Sequence, residues 1–572
     1  MAMAAIASET TAVKVSTTPI FREIPLGQAR KDFQVLLRVE APAVATHRVP
    51  IDVVAVLDVS GSMNDPEKRP SRLGLLKMAA KFMVAKLDDG DRLSIVAFND
   101  RPIKELSSGL LYMSGNGRRN AINVIDKLEA RGGTALLPAL EEAVKILDGR
   151  PGDGRNRLGF IVLLTDGEES MGFFGRESIH GVLGKYPIHT IGLGGAHDPE
   201  ALLYIAQESH GTYSFVDNEN ADKLAGALVV CLGGLTTVAA VDTRVVLKAA
   251  GSEPNGVRID RIDSGGYGSF VSCGGASCEV AVGELYAGEV KHFIVHLHVP
   301  STSSVEDSYY YCDHTACDRH RRRHEQHLLA VGYSYSHHSG TPAITVEAPS
   351  VFIQRTPERQ ALPHPSAEVL HHIVRFELVD VVAGLVHSGQ LSVVKDAGEL
   401  LQVRWEEFRA YHQFWGGLDM GALEMEVDAM VGSLRKGTVA FVHAWVSSHQ
   451  MQRATSLGSP EKAVAEYLTP AMELLLEEAL RLPPVVEMTT TVGGTAGVQV
   501  SGCVEMKMID RRLELWSKVR RDVQQLTATA ADGEEHLAAV FQEASLEAIE
   551  NAMHRDIYLV PLCTYFSKLI YS

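Results

Sequence analysis

The hydrophobic pattern changes its rhythm along the chain, and the first change marks a central unit. From Ile51 to about Gly234, short runs of β-branched and apolar residues alternate with amphipathic stretches. The apolar runs have the length of strands, and the amphipathic stretches repeat at helical spacing. The predicted strands are 51–57, 93–98, 160–164 and 188–193, and the predicted helices are 73–87, 121–128, 135–147 and 199–208. This alternation predicts a doubly wound α/β sheet.

The segments on either side of this unit favour β-structure. Residues 30–40 alternate apolar and polar side chains, and period-two segments recur at 243–248, 290–299 and 343–353. A lone amino-terminal strand cannot satisfy its own backbone hydrogen bonds. We therefore expect it to join the later segments in a β-sandwich, with the α/β unit inserted into that sandwich or lying beside it.

Helical patterning returns after a group of prolines between 349 and 365. One apolar stripe runs from Val369 to Leu385, with Ser366 as the N-cap and Gly389 past the end. Further helices are predicted at 393–414, 422–434, 461–482, 506–526 and 534–554. The predicted fold is multidomain: 1–48 form a tail and strands of the β domain, 49–234 the α/β domain, 235–356 the β-sandwich-like domain and 357–572 a mainly helical C-terminal domain.

Composition and charge narrow the classes of function. The 572 residues are 45% hydrophobic and 22% charged, which excludes wholesale disorder. A net charge of −17 repels phosphate backbones and anionic lipid surfaces, so general nucleic-acid binding is not expected. The seven cysteines are never spaced as Cys-x-x-Cys, which argues against a disulfide scaffold and a RING-type double zinc site.

Targeting signals are weak. The first sixteen residues lack a basic region and an apolar core, so a frayed terminus is favoured over a secretory signal or a chloroplast transit peptide. Glycines interrupt the longest uncharged run, 224–241, and no transmembrane segment is predicted. Together with the cysteine usage, this favours a cytoplasmic or nuclear location.

Three short motifs bring hard oxygen ligands to the predicted sheet. The first strand runs into Asp58-Val59-Ser60-Gly61-Ser62, Thr134 follows two glycines before a helix, and Asp166 ends the third parallel run. Ligand sites form at the carboxyl ends of parallel strands. Two carboxylates and three hydroxyls there suit a small hard cation, Mg²⁺ or Mn²⁺, with room for water or an exchangeable ligand.

In this order, the three motifs resemble the metal-ion-dependent adhesion site (MIDAS) of a von Willebrand factor A domain, and the resemblance covers roughly 49–234. It implies that Ser60, Ser62 and Thr134 coordinate the metal, and that Asp58 and Asp166 bind it directly or through water. It also implies that an Asp or Glu carboxylate of a partner protein fills the open position. The expected function is therefore a non-enzymatic, metal-dependent adaptor or scaffold.

Outside this unit, the layout resembles inter-alpha-trypsin inhibitor heavy chains and, more closely, plant von Willebrand A proteins with a Hedgehog/intein-associated C-terminal region. The motifs that carry this resemblance are Cys-Leu-Gly-Gly-Leu at 231–235 and Ser-Ser-His-Gln-Met-Gln-Arg-Ala at 447–454. Many members of that plant group have a RING finger ahead of the von Willebrand A domain. The first cysteine here is Cys231, so ligase activity is not expected, and association with the ubiquitin pathway is a family analogy.

Two alternatives and some weaker signals remain. The chain could be a metal-independent structural scaffold, or a hydrolase that uses a metal-activated water, although it has no second metal motif, P-loop or nucleophile elbow. Zinc-capable side chains occur at Cys312, Cys317, His320 and His324, but four arginines crowd so short a segment that a solvated loop is expected. Helical spacing predicts core or interface roles for a further set: His371, His372, Trp405, Tyr411, Phe414 and Trp415.

Overall fold

A computed structural model describes residues 12–44, 48–64, 71–150, 156–167, 181–251, 256–301, 325–338, 340–356, 364–413 and 418–481. The strands are β1 (Lys14–Pro19), β2 (Glu23–Pro25), β3 (Arg30–Glu40), β4 (Ile51–Asp58), β5 (Arg92–Phe98), β6 (Leu111–Tyr112), β7 (Leu158–Thr165), β8 (Ile188–Leu193), β9 (Tyr213–Val216), β10 (Val238–Ala249), β11 (Arg258–Asp263), β12 (Gly268–Val271), β13 (Ser277–Tyr286), β14 (Val290–Val299), β15 (Glu325–Ser336), β16 (Ile344–Thr356) and β17 (Leu457–Gly458). The α-helices are α1 (Arg72–Lys86), α2 (Gly115–Asp126), α3 (Leu136–Asp148), α4 (Pro199–Glu208), α5 (Leu224–Leu235), α6 (Ala367–His387), α7 (Gln390–Val393), α8 (Ala397–His412), α9 (Gly421–Arg435), α10 (Ala440–Met451) and α11 (Pro470–Leu480).

The central sheet has the strand order β17-β9-β8-β7-β4-β5-β6. Its strands are parallel except where β6 pairs with β5. Every residue of β4 is buried, which explains its continuous apolar run. Val53, Ala55 and Leu57 contribute to the core on one face of the sheet, and Val54 and Val56 to the core on the other. The predicted doubly wound α/β unit is confirmed.

Two further sheets pack against each other around a third core. Their strand orders are β1-β3-β14-β11 and β12-β13-β10-β15-β16-β2. Strand β3, which precedes the α/β unit, pairs with β14, which follows it, so that Leu37 lies opposite Phe293. Side chains of both sheets, among them Phe33, Leu247 and Val331, belong to the same buried cluster. The amino-terminal strand thus finds its hydrogen-bond partners far along the chain.

The helical region packs directly on the central sheet. Helices α6, α8, α9 and α10 share one core with the strands and with α3 and α4, and α11 contributes Met472 and Leu476 to the core on the opposite face. Strand β17 extends the central sheet by pairing with β9. The described part of the C-terminal region is therefore integrated with the α/β unit through both packing and sheet hydrogen bonds.

Several predicted elements differ in detail from the structure. The helix predicted at 461–482 is too long: short 3₁₀ turns occupy Pro460–Lys462 and Ala465–Tyr467, and a helix begins only at Pro470. Helix α10 and strand β17 have no counterpart among the predicted elements. Trp405 is buried as expected, whereas Tyr411 is exposed. The predictions for 506–526, 534–554, Phe414, Trp415 and the segment 312–324 concern positions outside the described residues.

The segment 447–454, which we call the junction segment, connects the three parts. The Ser447 hydroxyl accepts a hydrogen bond of 2.8 Å from the backbone amide of Tyr213 in β9. The Lys291 ammonium on β14 donates to the backbone carbonyls of Met451 (3.1 Å) and Gln452 (2.8 Å). Apart from a half-buried glutamine at 450, the segment is buried. It therefore holds the sandwich against the α/β unit.

A buried ion network anchors the end of this segment. Arg453 and Lys291 each lie 3.0 Å from the Glu289 carboxylate, and all three side chains are at most 5% exposed. The Arg453 guanidinium also lies 4.0 Å from the ring centre of Tyr286. A buried carboxylate tolerates the loss of water only when cations and hydrogen bonds compensate it.

We predict that Arg453→Met destabilises the protein by about 3–5 kcal/mol, because it leaves the buried Glu289 carboxylate with one cation instead of two. Arg404→Met is the matched control, since Arg404 forms an exposed pair with Glu407 whose loss costs about 0.5 kcal/mol or less. Urea unfolding followed by fluorescence measures both. Equal midpoints for the two variants would contradict the role given to the buried network.

Candidate metal centre

Adjacent parallel strands place the two candidate carboxylates at the same edge of the central sheet. Strand β4 ends at Asp58, and β7 ends at Thr165, one residue before Asp166. The two strands pair in register, with Leu57 opposite Leu164. Because the carboxyl ends of parallel strands open onto one crevice, both acids face the region where ligands bind in such sheets.

Backbone hydrogen bonds hold the third motif beside the first. The Gly61 amide donates to the Gly132 carbonyl at 2.9 Å, and the Arg131 amide donates to the Val59 carbonyl at 2.8 Å. Gly132 has a φ of +80°, a conformation that glycine adopts without strain. These contacts bring the loop that carries Thr134 against the loop of the two serines.

The structure brings the predicted oxygen ligands together. The Ser60 amide donates to Asp58 Oδ1 at 2.7 Å, the Ser60 and Ser62 hydroxyls lie 2.9 Å apart, and Ser62 donates to Asp166 Oδ1 at 2.7 Å. Thr134 packs beside Gly167, the residue after Asp166, since a Cβ built on Gly167 would lie only 2.7 Å from Thr134 Oγ1. A side chain at 167 would therefore collide with Thr134.

Asp58 is a buried carboxylate whose contacts do not neutralise it. Its side chain is fully buried, and burial raises its pKa to about 6, with a smaller contribution from the negative charge of Asp166. Its hydrogen-bond donors include the Ser60 amide, the Ser60 hydroxyl and the Thr165 hydroxyl, the last at 2.5 Å, and none of them carries a positive charge. A dication beside Asp58 would favour the charged form that burial disfavours.

Two residues at this edge were not identified from the sequence. The Thr165 hydroxyl donates to Asp58 Oδ2 and accepts a hydrogen bond of 3.0 Å from the Gly167 amide. The Arg72 guanidinium lies 2.6 Å from Asp166 Oδ2, and it also donates to Asn218 Oδ1 at 2.9 Å. Thr165 stands next to a motif acid, which was a usable signal. Arg72 is the first residue of helix α1, and no local sequence motif indicates that it contacts this edge.

These residues fit a hard divalent cation. Carboxylate and hydroxyl oxygens are the ligands that Mg²⁺ and Mn²⁺ prefer, and one of the two buried acids lacks a cation among the described residues. Ser62 is exposed and Thr134 half-buried, so the cluster opens toward solvent. The resemblance to a MIDAS did not imply the ion pair with Arg72. This pair gives one oxygen of Asp166 a positive partner already.

Comparison with known proteins gives the family of the central unit. The family model for the von Willebrand factor type A domain matches residues 53–169. E3 ubiquitin-protein ligase WAV3 of Arabidopsis thaliana is 31% identical over 312 residues, which cover 51% of this chain and 38% of that protein. Inter-alpha-trypsin inhibitor heavy chain H1 of Sus scrofa is 27% identical over 187 residues, covering 31% of this chain and 20% of that protein.

Among solved structures, a von Willebrand factor type A protein from Catenulispora acidiphila aligns with a TM-score of 0.49 and 18% identity, covering 75% of this chain and 88% of that one. The chain matches less than half the length of the two relatives above. In the described residues, no helix is long and apolar enough to span a membrane. The chain is a multidomain protein with a von Willebrand factor type A domain, and it is homologous to the plant WAV ligase family and to inter-alpha-trypsin inhibitor heavy chains.

Proposed function

We propose that this protein is a metal-dependent protein-interaction module that acts as an adaptor or scaffold. Asp58, Ser60, Ser62, Thr134 and Asp166 would hold Mg²⁺ or Mn²⁺, and the cation would recruit an Asp or Glu side chain of a partner protein. The observation that carries this proposal is a group of oxygen ligands at the ligand-binding edge of the sheet. Hydrogen bonds join Ser60 to Asp58 and Ser62 to Ser60 and Asp166, Thr134 packs beside Gly167, and the buried Asp58 carboxylate has no cation among the described residues.

Each residue has a separate role in this proposal. The bound cation supplies a positive site for an incoming carboxylate. The Ser60 amide and the Thr165 hydroxyl hold the Asp58 carboxylate in one orientation. Ser62 and Thr134 lie on the solvent side, where a partner side chain can approach. Arg72 neutralises Asp166 and must share that acid with the cation or release it.

Other functions have less support from the contacts at this edge. The names of the plant relatives describe E3 ubiquitin-protein ligases, which supports a role near ubiquitin transfer as an adaptor, while the described residues contain no cysteine-rich zinc module that would support ligase chemistry. A metal-independent scaffold would need none of the oxygen cluster. A metal-dependent hydrolase would need a general base beside the site, and none of the contacts described above supplies one.

We predict that the stability of the metal-free protein depends on pH through Asp58. The pKa of this group is raised from 3.8 to about 6 in the folded state, so the stability it contributes is full below its unfolded pKa and is lost as the pH rises through about 6. In EDTA, the stability of Asp58→Asn relative to the wild type should therefore rise by roughly 3 kcal/mol between about pH 4 and about pH 7.

Thermal unfolding in EDTA and in Mg²⁺ measures this effect. Saturating Mg²⁺ should stabilise the wild type by about 1–3 kcal/mol and leave Asp58→Asn unchanged. A difference between the two proteins that stays constant with pH, or equal stabilisation of both by Mg²⁺, would contradict the assignment.

We predict that Arg72→Met strengthens Mn²⁺ binding. A guanidinium about 5 Å from a dication in water-like surroundings repels it by about 1.7 kcal/mol, which corresponds to nearly twentyfold in affinity. The same substitution should destabilise the metal-free protein by about 3 kcal/mol, because the buried Asp166 carboxylate loses its partner. Calorimetric titration with Mn²⁺ measures the affinity, with Arg404→Met as the control. Unchanged or weaker binding would show that Arg72 does not compete with the metal.

We predict that Thr134→Ala abolishes metal-dependent partner binding without unfolding the protein. The substitution removes one ligand and leaves both acids in place, at a cost of about 1 kcal/mol in stability. Thr345→Ala is the matched control, since Thr345 is an exposed threonine on β16, away from the metal centre. A peptide array probed in Mg²⁺ and in EDTA reports binding, with every acidic peptide paired with its Asn or Gln copy.

We expect the wild type and Thr345→Ala to bind the same acidic peptides in Mg²⁺. This binding should be lost in EDTA, with the Asn or Gln copies of the peptides, and with Thr134→Ala. Binding that persists with Thr134→Ala and in EDTA would place recognition on the β-sandwich or the helices.

A further inference from the structure

A second group of ligating side chains lies where the sandwich meets the helical region. His292 on β14, His372 on α6 and Glu466 in the 3₁₀ turn Ala465–Tyr467 place one donor atom each within 4.8 Å of one another. They line a small cavity together with Arg375, His449 and Tyr467. None of these residues belongs to the oxygen cluster at the sheet edge, so the group is independent of the proposed function.

The two imidazole rings are stacked face to face, and among the described residues neither is engaged in a side-chain hydrogen bond. Their ring centres lie 3.9 Å apart with an angle of 25° between the planes. Within the described part of the chain, the contacts of His292 to Gln452 use its backbone, and neither imidazole has a hydrogen-bond partner. Burial lowers the pKa of His292 to about 4 and that of His372 to about 2, so both rings are neutral at neutral pH, the form that binds metals.

The charged side chains around the cavity are compatible with a bound cation. The Arg375 guanidinium lies 3.4 Å from the carboxylates of both Glu426 and Glu466, so two negative charges share one positive charge. Arg375 also contacts His449, whose pKa is lowered by burial. The nearby Arg38 is paired with Glu40 at 3.2 Å. Glu426 can keep Arg375, which leaves Glu466 free to turn toward the two histidines.

We propose that His292, His372 and Glu466 form a transition-metal site that takes Zn²⁺, with water in the fourth position. Ligand atoms about 2.1 Å from a tetrahedral zinc ion lie about 3.4 Å apart, so shifts of about 1 Å from the present arrangement close the site. Glu466 is 35% exposed and has the freedom to make that shift. Imidazole nitrogens favour Zn²⁺ over Mg²⁺, which separates this site from the oxygen cluster.

The position of the site gives the metal a structural role. Its ligands come from the sandwich, from the first long C-terminal helix and from the turn before α11, next to the junction segment. A zinc ion there would cross-link parts of the chain that are otherwise joined by packing and by the junction segment. Zinc would then stabilise the docking of the sandwich on the helical region.

The test uses the full chain with Cys312→Ser and Cys317→Ser, in saturating Mg²⁺, so that neither the 312–324 segment nor the oxygen cluster takes up the probe. Co²⁺ and Zn²⁺ are the probes, read by visible absorption and by calorimetry. We expect one equivalent of Zn²⁺ per chain, a tetrahedral Co²⁺ spectrum and a higher melting temperature with zinc.

Glu466→Gln and His372→Asn should each weaken binding at least tenfold and remove the Co²⁺ spectrum. His371→Ala is the matched control, since His371 is the next residue on the same helix and lies outside the ligand group. Because Glu466 is partly exposed, Glu466→Gln keeps the test valid even if His372→Asn fails to fold. Absence of stoichiometric zinc, or equal binding by Glu466→Gln and the parent, would overturn the proposal.

Discussion

The burial of the junction segment is the constraint on which the assembly of this protein depends. A chain segment that leaves water must find partners for its backbone groups and charges. Here the Ser447 hydroxyl accepts a hydrogen bond from a backbone amide of β9, and the Lys291 ammonium donates to two backbone carbonyls of the segment. Arg453 forms an ion pair with the buried Glu289 carboxylate. Strand β17 follows directly and extends the central sheet. The same stretch therefore fixes the positions of the sandwich, the helices and the von Willebrand A domain.

Ion pairing also occurs at the sheet edge, but there it compensates only one of the two buried carboxylates. Arg72 partners Asp166, whereas Asp58 remains a buried acid with an elevated pKa and no cation among the described residues. This edge thus pairs one buried carboxylate and leaves its neighbour unpaired, an unfavourable charge that the proposed dication would relieve. Under the proposed function, the stability of the domain and its binding of a partner would be linked through the same carboxylate.

The sequence pattern predicted those parts of the structure that depend on residues close together in the chain. The buried run of β4 and the order of the three motifs were enough to expect the α/β sheet and the grouping of Ser60, Ser62 and Asp166. Long-range placement could not be predicted in this way. Arg72 reaches Asp166 because α1 begins beside it, and His292 meets His372 across 80 residues of sequence. Helical spacing assigned His372 to the core or an interface, and the structure buries it, but the pattern could not show that it also lines a cavity.

The most direct test of the central claim is an anomalous-scattering map from crystals grown in Mn²⁺. We expect a strong peak at the sheet edge, within coordination distance of Ser60, Ser62 and Thr134, with Arg72 turned away from Asp166 or sharing it. A carboxylate from a neighbouring molecule or a water would complete the coordination. An edge without anomalous density at saturating Mn²⁺, with Arg72 still paired to Asp166, would contradict the account.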